Sequence, residues 1–210
     1  MDFTYVNFIP VYDGYMTGSG LPMRFVNRFG KIADIYQQLT QYEDDVIISQ
    51  MFYSSNWSTE EALTRFRELL NNSIARFHTA VAINFHPPFY LFPIPDSVNS
   101  NKAWTLGCIE IAKELGVPIV SGDQWHDFVR ARSQVRIRGF RENESGYEFF
   151  LDAPRKVQGL SLMIPSKKKG QTVQIDGRAV TAVAKTVRER DYLFVTEDFA
   201  GTNLVRIGAQ

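Results

Sequence analysis

The period of apolar positions changes within the last third of the chain. Ahead of residues 133–139, short apolar runs alternate with stretches that repeat at helical spacing; from Gly146 onward apolar residues recur at every second position. Residues 3–11 read as a strand, followed by a glycine-rich loop from Asp13 to Gly20. Asn27-Arg28-Phe29-Gly30 suggests a turn, and residues 32–39 fit either a strand or a helical turn. Val46, Ile47, Ile48 and Met51 predict a strand over 45–52 of the kind buried on both faces.

Ser58-Thr-Glu-Glu61 has the form of a capping box, in which the serine hydroxyl accepts from the third helical amide. The helix it opens should run to about Phe77, with Leu63, Phe66, Leu69, Leu70, Ile74 and Phe77 inward and Arg65, Glu68 and Asn72 outward. A buried-type strand over 80–85 then ends on His86 and stops at Pro87-Pro88. A helix over 100–115 presents Trp104, Cys108, Ile111 and Leu115 on one face, with Gly116 as its C-cap. Residues 117–121 read as a further short buried strand, and Asp123 can cap a last helix carrying Trp125, Phe128, Val129 and Arg132.

Beyond Gly146, period-two runs at 147–151, 160–164, 172–175, 180–187 and 192–196 are punctuated by Pro154, Pro165 and Gly170, with Asp176-Gly177 placed as a tight hairpin turn. A run of βα units makes a parallel sheet, either an open doubly wound one or part of a (β/α) barrel. The period-two region predicts a small antiparallel β-sandwich.

Composition adds bounds. At 210 residues and 44% hydrophobic content the chain can bury a core. Lys and Arg together count 23, as do Asp and Glu, so no net field favours nucleic acid; Lys167-Lys168-Lys169 beside Gly170 reads as a solvated turn. The single cysteine, Cys108, falls on a helical apolar face and reads as a buried thiol. No apolar run reaches the roughly 18 residues of a membrane span, and the start Met-Asp-Phe-Thr-Tyr lacks signal-peptide features, so the expectation is a soluble chain without an export signal.

If the strands are parallel, residues just after each strand share one face, where α/β proteins react with ligands. Those residues are Asp13, then Tyr53, Ser54 and Asn56, then His86, then Asp123 with His126. His86 is the candidate acid, since an imidazole exchanges protons near neutral pH; the plainer reading is a strand-end histidine bonded to a loop carbonyl. Asp13 and Asp123 are candidate carboxylates, against the commoner role of aspartate in caps and turns. Asn84, Trp57, Trp125, His126 and Tyr12 are candidates for substrate contact, the aromatics by stacking on sugar rings, although a core position is the usual fate of such side chains. Three histidines without a His-x-x-x-His or a cysteine pair make a metal centre within this chain unexpected.

The segment Val81-Ala-Ile-Asn-Phe-His86-Pro, the helix to Ala112-Lys-Glu-Leu-Gly-Val-Pro-Ile-Val120, and Trp125-His-Asp-Phe-Val-Arg-Ala-Arg132 together resemble the carboxyl-terminal part of polysaccharide deacetylase-like (NodB-homology) barrels. Thr17-Gly-Ser-Gly-Leu-Pro-Met23 and Tyr36-Gln-Gln-Leu-Thr40 resemble members with a β-sandwich after the barrel. The resemblance implies an α/β fold, with parallel βα units of an incomplete (β/α) barrel over 1–135 followed by a β-sandwich over 140–210. It implies His86 as the catalytic acid of a carbohydrate-active hydrolase. The family's metal ligands, an Asp-Asp strand motif and a His-x-x-x-His, have no counterpart here, so the chain is expected to hold no cofactor and not to catalyse alone, the divalent metal belonging to a full-length parent. Expected partners are a carbohydrate and either a second copy or a missing N-terminal half. The alternative reading is a non-catalytic carbohydrate-binding or structural module; a third is a metal-independent glycosidase using Asp13 and Asp123.

Overall fold

A computed structural model describes residues 2–4, 20–39, 42, 57–86, 97–142, 144, 146–168 and 170–209. The chain divides into two compact units, Met1–Asp123 and Gln124–Gln210. The expected strand over 45–52 lies outside the described residues, as do Tyr12 and Asp13.

In the first unit, β1 (Asp2–Thr4), β2 (Met23–Val26) and β3 (Ile32–Leu39) form a three-stranded sheet in the order β1-β3-β2. β2 and β3 are an antiparallel hairpin around residues 27–31, where the Asn27 carboxamide oxygen accepts from the Phe29 and Lys31 amides, both at 3.0 Å. This side chain-to-backbone bonding is what makes asparagine a turn former. The same unit holds two long helices, α1 (Thr59–Asn72) and α2 (Ser97–Glu114). Ser58 caps α1 as its sequence requires, its hydroxyl accepting from the Glu61 amide at 3.1 Å. α1 is shorter than expected: a π-helical turn, Ser73–Phe77, replaces its last α-turns, closed by His78 in the left-handed region, and Ile74 is exposed.

Phe66 and Leu70 of α1 meet Trp104, Cys108 and Ile111 of α2 in one buried cluster, and Tyr42 enters it with its hydroxyl donating to the Ala62 carbonyl at 2.7 Å. Arg67 and Glu114 join the two helices at the surface through a two-pronged ion pair at 2.9 and 2.7 Å. α2 ends as expected at Gly116, whose amide donates to the Lys113 carbonyl while the Val117 amide donates to that of Ala112, the paired bonds that close a helix end.

This arrangement overturns the parallel βα barrel. Among the described residues the one parallel ladder is the three-residue pairing of β1 with β3, and every other ladder is antiparallel. Residues 80–86 belong to no strand. Val81, Ile83 and Phe85 are packed as a buried run should be, but against the helical core and not between neighbouring strands of a ladder. Residues 117–121 are not a strand either, and Ile119 and Val120 are exposed; Pro118 lacks the amide a central strand would need.

In the second unit, α3 (Gly122–Gln134) turns Phe128 and Ala131 onto a sheet of six strands: β4 (Arg136–Glu142), β5 (Tyr147–Pro165), β6 (Gln171–Ile175), β7 (Arg178–Val180), β8 (Val183–Val187) and β9 (Arg190–Ala209). The order is β4-β5-β9-β6-β7, with β8 also on β9. The antiparallel period was legible, but the result is one continuous sheet built on two strands of 19 and 20 residues, not two separate sheets. β5 takes in two of the expected runs, 147–151 and 160–164, whose alternation is interrupted by a bulged stretch containing Pro154, whereas of β9 the pattern showed only 192–196. Both halves of β5 and β9 feed one core, from Phe149, Leu151, Val205 and Ile207 to Leu160, Ile164, Leu193 and Val195. Among the described residues no helix is long and apolar enough to cross a membrane.

Two hairpins of this sheet use two-residue turns with positive φ at both positions. Asp176-Gly177 is the expected one, at 50° and 78°. Arg188-Glu189, between β8 and β9, adopts the same conformation at 47° and 65° without a glycine or asparagine. Left-handed backbone costs an ordinary side chain about 1 kcal/mol. Glu189→Gly should therefore raise stability by about that amount, read as a higher denaturant midpoint, whereas a lower midpoint would contradict this turn.

The Cys108 thiol, walled in by the first unit's core, has its pKa pushed up by burial to about 12. It should stay silent toward a thiol-titrating reagent at pH 8 in the native protein and react stoichiometrically in denaturant; fast native reaction would show that this core is open.

Candidate functional site

The residues chosen from sequence occupy several different settings. Trp57 is half-buried against the helical core, and the Arg65 guanidinium covers one face of its ring at 4.3 Å, so that face is closed to a sugar. Asn84 and His86 are half-buried and alternate with the core-facing Val81, Ile83 and Phe85. His86 therefore sits on an irregular segment rather than at the carboxyl end of a sheet strand, and the geometric reason for selecting it no longer applies. Asp123 is exposed in the first turn of α3, where its charge complements the helix dipole. In the second unit Trp125 stacks on Phe128 at 5.5 Å and 17°, which makes it part of the helix's packing surface. His126 is half-buried with Nδ1 3.8 Å from the Asp127 carboxylate. Tyr12 and Asp13 lie outside the described residues. Among the described residues no three His, Cys, Asp or Glu side chains converge as a metal site, so the donor set the resemblance asks for is not formed by them.

The structure instead assembles a constellation on the face of the large sheet turned away from its core. Along β5, Phe149, Leu151 and Ala153 are buried, so the alternating residues Glu148, Phe150 and Asp152 face outward. β9 sets Arg206, Leu204 and Thr202 directly opposite them. β4 adds Arg138 opposite Phe150 and Arg136 opposite Asp152.

Arg141 joins the same face through a bulge. A regular strand would turn residues 138 and 141 to opposite sides, but three steps of β4, from Arg138 to Arg141, are matched by two of β5, from Phe150 to Glu148. The extra residue falls at Gly139, whose φ of 60° suits glycine. Three exposed arginines thus line one edge of the face. The missing side chain at Gly139 also seats Phe150: a Cβ there would stand 3.3 Å from the Phe150 ring. The ring lies beside a bare stretch of backbone and remains 39% exposed.

Charge pairing fixes the groups around that ring. Arg138 binds the Asp152 carboxylate through both Nε and Nη2, the latter at 3.0 Å, and the Thr202 hydroxyl donates to the same carboxylate at 2.8 Å. The Arg138 hydrogen bond first, then that of Thr202, lowers the Asp152 pKa below the ordinary aspartate range. On the other side of Phe150, Arg206 Nε donates to Glu148 at 2.6 Å. The outcome is an exposed aromatic ring between two positioned carboxylates and two fixed guanidinium groups. Such a set offers a stacking surface with acceptors and donors at its margins, suited to a ligand with an apolar face and a polar rim. Exposed ion pairs of this type add little stability, so their effect is mainly to hold orientation. The sequence signal was present in the odd spacing of Arg136, Arg138 and Arg141 around Gly139, but its meaning depends on recognising the bulge.

Because its folded pKa is lowered, Asp152 contributes stability above the unfolded aspartate value of about 4, and this is lost as pH falls through the lowered folded pKa. Arg138→Gln should move the Asp152 midpoint, followed by the NMR shift of its carboxyl carbon, upward toward an ordinary aspartate. Thr202→Val should move it in the same direction by less. An unchanged midpoint in Arg138→Gln would refute the assignment.

No protein-family model matches this chain, and neither does any curated protein.

Proposed function

We propose that this chain is the carbohydrate-handling part of a carbohydrate-active hydrolase: it binds polysaccharide on the outer face of its large sheet and does not itself cleave it. The observation that carries the reading is Phe150, exposed at the centre of a sheet face and flanked by Glu148 and Asp152, each held by a guanidinium. A pyranose ring has an apolar face of C–H groups that stacks on an aromatic ring, and peripheral hydroxyls that take bonds from carboxylates and guanidinium groups in fixed directions. A preorganised rim lowers the ordering cost of binding. The sequence resemblance to polysaccharide deacetylase-like proteins supports the same substrate class. It does not place the cleavage chemistry on this chain's described residues, and no metal-dependent step is derived for them.

The test is affinity electrophoresis of the intact chain through gels containing single polysaccharides, with Phe150→Ala and Phe150→Trp beside the parent. Retardation by at least one polysaccharide should weaken about tenfold or more in Phe150→Ala, the range expected for a lost stacking residue, and persist in Phe150→Trp. The folding midpoints of both variants calibrate the comparison. Equal retardation of all three, or retardation of none by any polysaccharide, would refute the assignment.

A further inference from the structure

The chain's formal neutrality conceals two oppositely charged parts. Residues 1–123 hold 8 Lys and Arg against 13 Asp and Glu, whereas residues 124–210 hold 15 against 10. The excess in the second unit is oriented. Arg136, Arg138 and Arg141 share the outer face of β4, which is the end strand of its sheet and exposed along its whole length. Their partners leave charge uncompensated. Arg138 is matched by Asp152, but Arg136 donates only to the backbone carbonyls of Ser133 and Val135, at 2.8 and 3.0 Å, and Arg141 forms no ion pair among the described residues. Arg206 is taken up by Glu148. The face around Phe150 therefore presents two neutralised pairs close to the ring and two uncompensated guanidinium groups, Arg136 and Arg141, along one margin.

From this placement we infer that the polysaccharide bound on the Phe150 face is anionic, a polymer with a carboxylate on its sugar rings such as a uronate, its apolar ring face stacking on Phe150 and its carboxylates meeting Arg136 and Arg141. The inference rests on the carbohydrate reading above and adds the charge of the substrate. A guanidinium takes a carboxylate through two parallel hydrogen bonds, which a hydroxyl cannot reciprocate, and arginine is favoured over lysine where planar anions are recognised. Two successive residues on one face of a strand lie about 7 Å apart, and the bulge extends the arginine row without turning it away. A linear polymer with a regular charge along it suits such a row better than an isolated anion does. A DNA duplex would also meet the positive edge, but its bases are stacked inside the helix and offer Phe150 no apolar face, whereas a uronate chain presents one at each ring.

The experiment is affinity electrophoresis of the intact chain in gels containing polygalacturonate, neutral galactan, or a mixed-sequence DNA duplex, each over a range of salt, for the parent, Arg136→Gln, Arg141→Gln, the double variant and Phe150→Ala. The expected result is retardation by polygalacturonate exceeding that by galactan, falling as salt rises. The double arginine variant should bind about tenfold more weakly or worse, and Phe150→Ala should also lose binding. Retardation by galactan equal to that by polygalacturonate, and unaffected by the arginine variants, overturns the anionic substrate while leaving the carbohydrate reading in place. Absence of retardation by every glycan overturns both. DNA retarding the protein as strongly as polygalacturonate, with Phe150→Ala unchanged on both, shows a charge-only surface and also overturns the inference. Both arginines are exposed strand residues outside the core, and thermal midpoints near the parent's establish that the variants are folded.

Discussion

The pairing of β5 with β9 is the constraint on which the second unit depends. It is made of the two longest strands among the described residues, and β4, β6 and β8 attach to one or the other. Its register is uneven: seven steps of β5, from Ala153 to Leu160, face four of β9, from Gly201 to Glu197. Surplus residues in one strand bend it and increase its twist. Pro154 is tolerated there because a bulge needs no regular ladder donor. The surplus is tied down by Asp198, whose carboxylate accepts from the Gly159 amide at 2.9 Å and pairs with Lys156 at 3.2 Å. The backbone bond first, then Lys156, keeps the Asp198 pKa below the usual range.

Two consequences follow from that bend. Both halves of each long strand line one core, so a single sheet encloses it. The outward residues of the first half of β5 and the last part of β9 also fall into fixed register opposite each other, which brings Arg206 to Glu148 and Thr202 to Asp152 on either side of Phe150. The bulge at Gly139 brings a third arginine of β4, Arg141, to that face. The proposed recognition rests on positions supplied by backbone register, and the ion pairs hold side chains in place at little stability of their own.

Local signals were the most readily read. Ser58 as a cap, Gly116 as a helix end, Asp176-Gly177 as a turn and Cys108 as a buried thiol each depend on a few neighbouring residues, and each was legible. Long-range pairing was not. Val81, Ile83 and Phe85 alternate as a strand does, yet alternation states which side is apolar and not what lies against it; here it is α1 and α2 rather than neighbouring strands. The wrong barrel followed from that step, and with it the choice of His86 as a strand-end residue. Phe150 was hidden for a related reason: in Phe149-Phe150 one ring is core and the other surface, and only register tells them apart. Formal neutrality also hid the charge distribution, because a whole-chain sum averages an acidic part with a basic one.

The most direct test of this account is an amide-resolved NMR titration of the intact protein with short oligogalacturonates. Shifts are predicted to concentrate at Arg136, Arg138, Arg141, Glu148, Phe150, Asp152, Thr202 and Arg206, while the inward-facing Phe149, Leu151 and Val205 move little. Shifts gathered instead around Asn84 and His86, with the outer face of β4, β5 and β9 undisturbed, would contradict it.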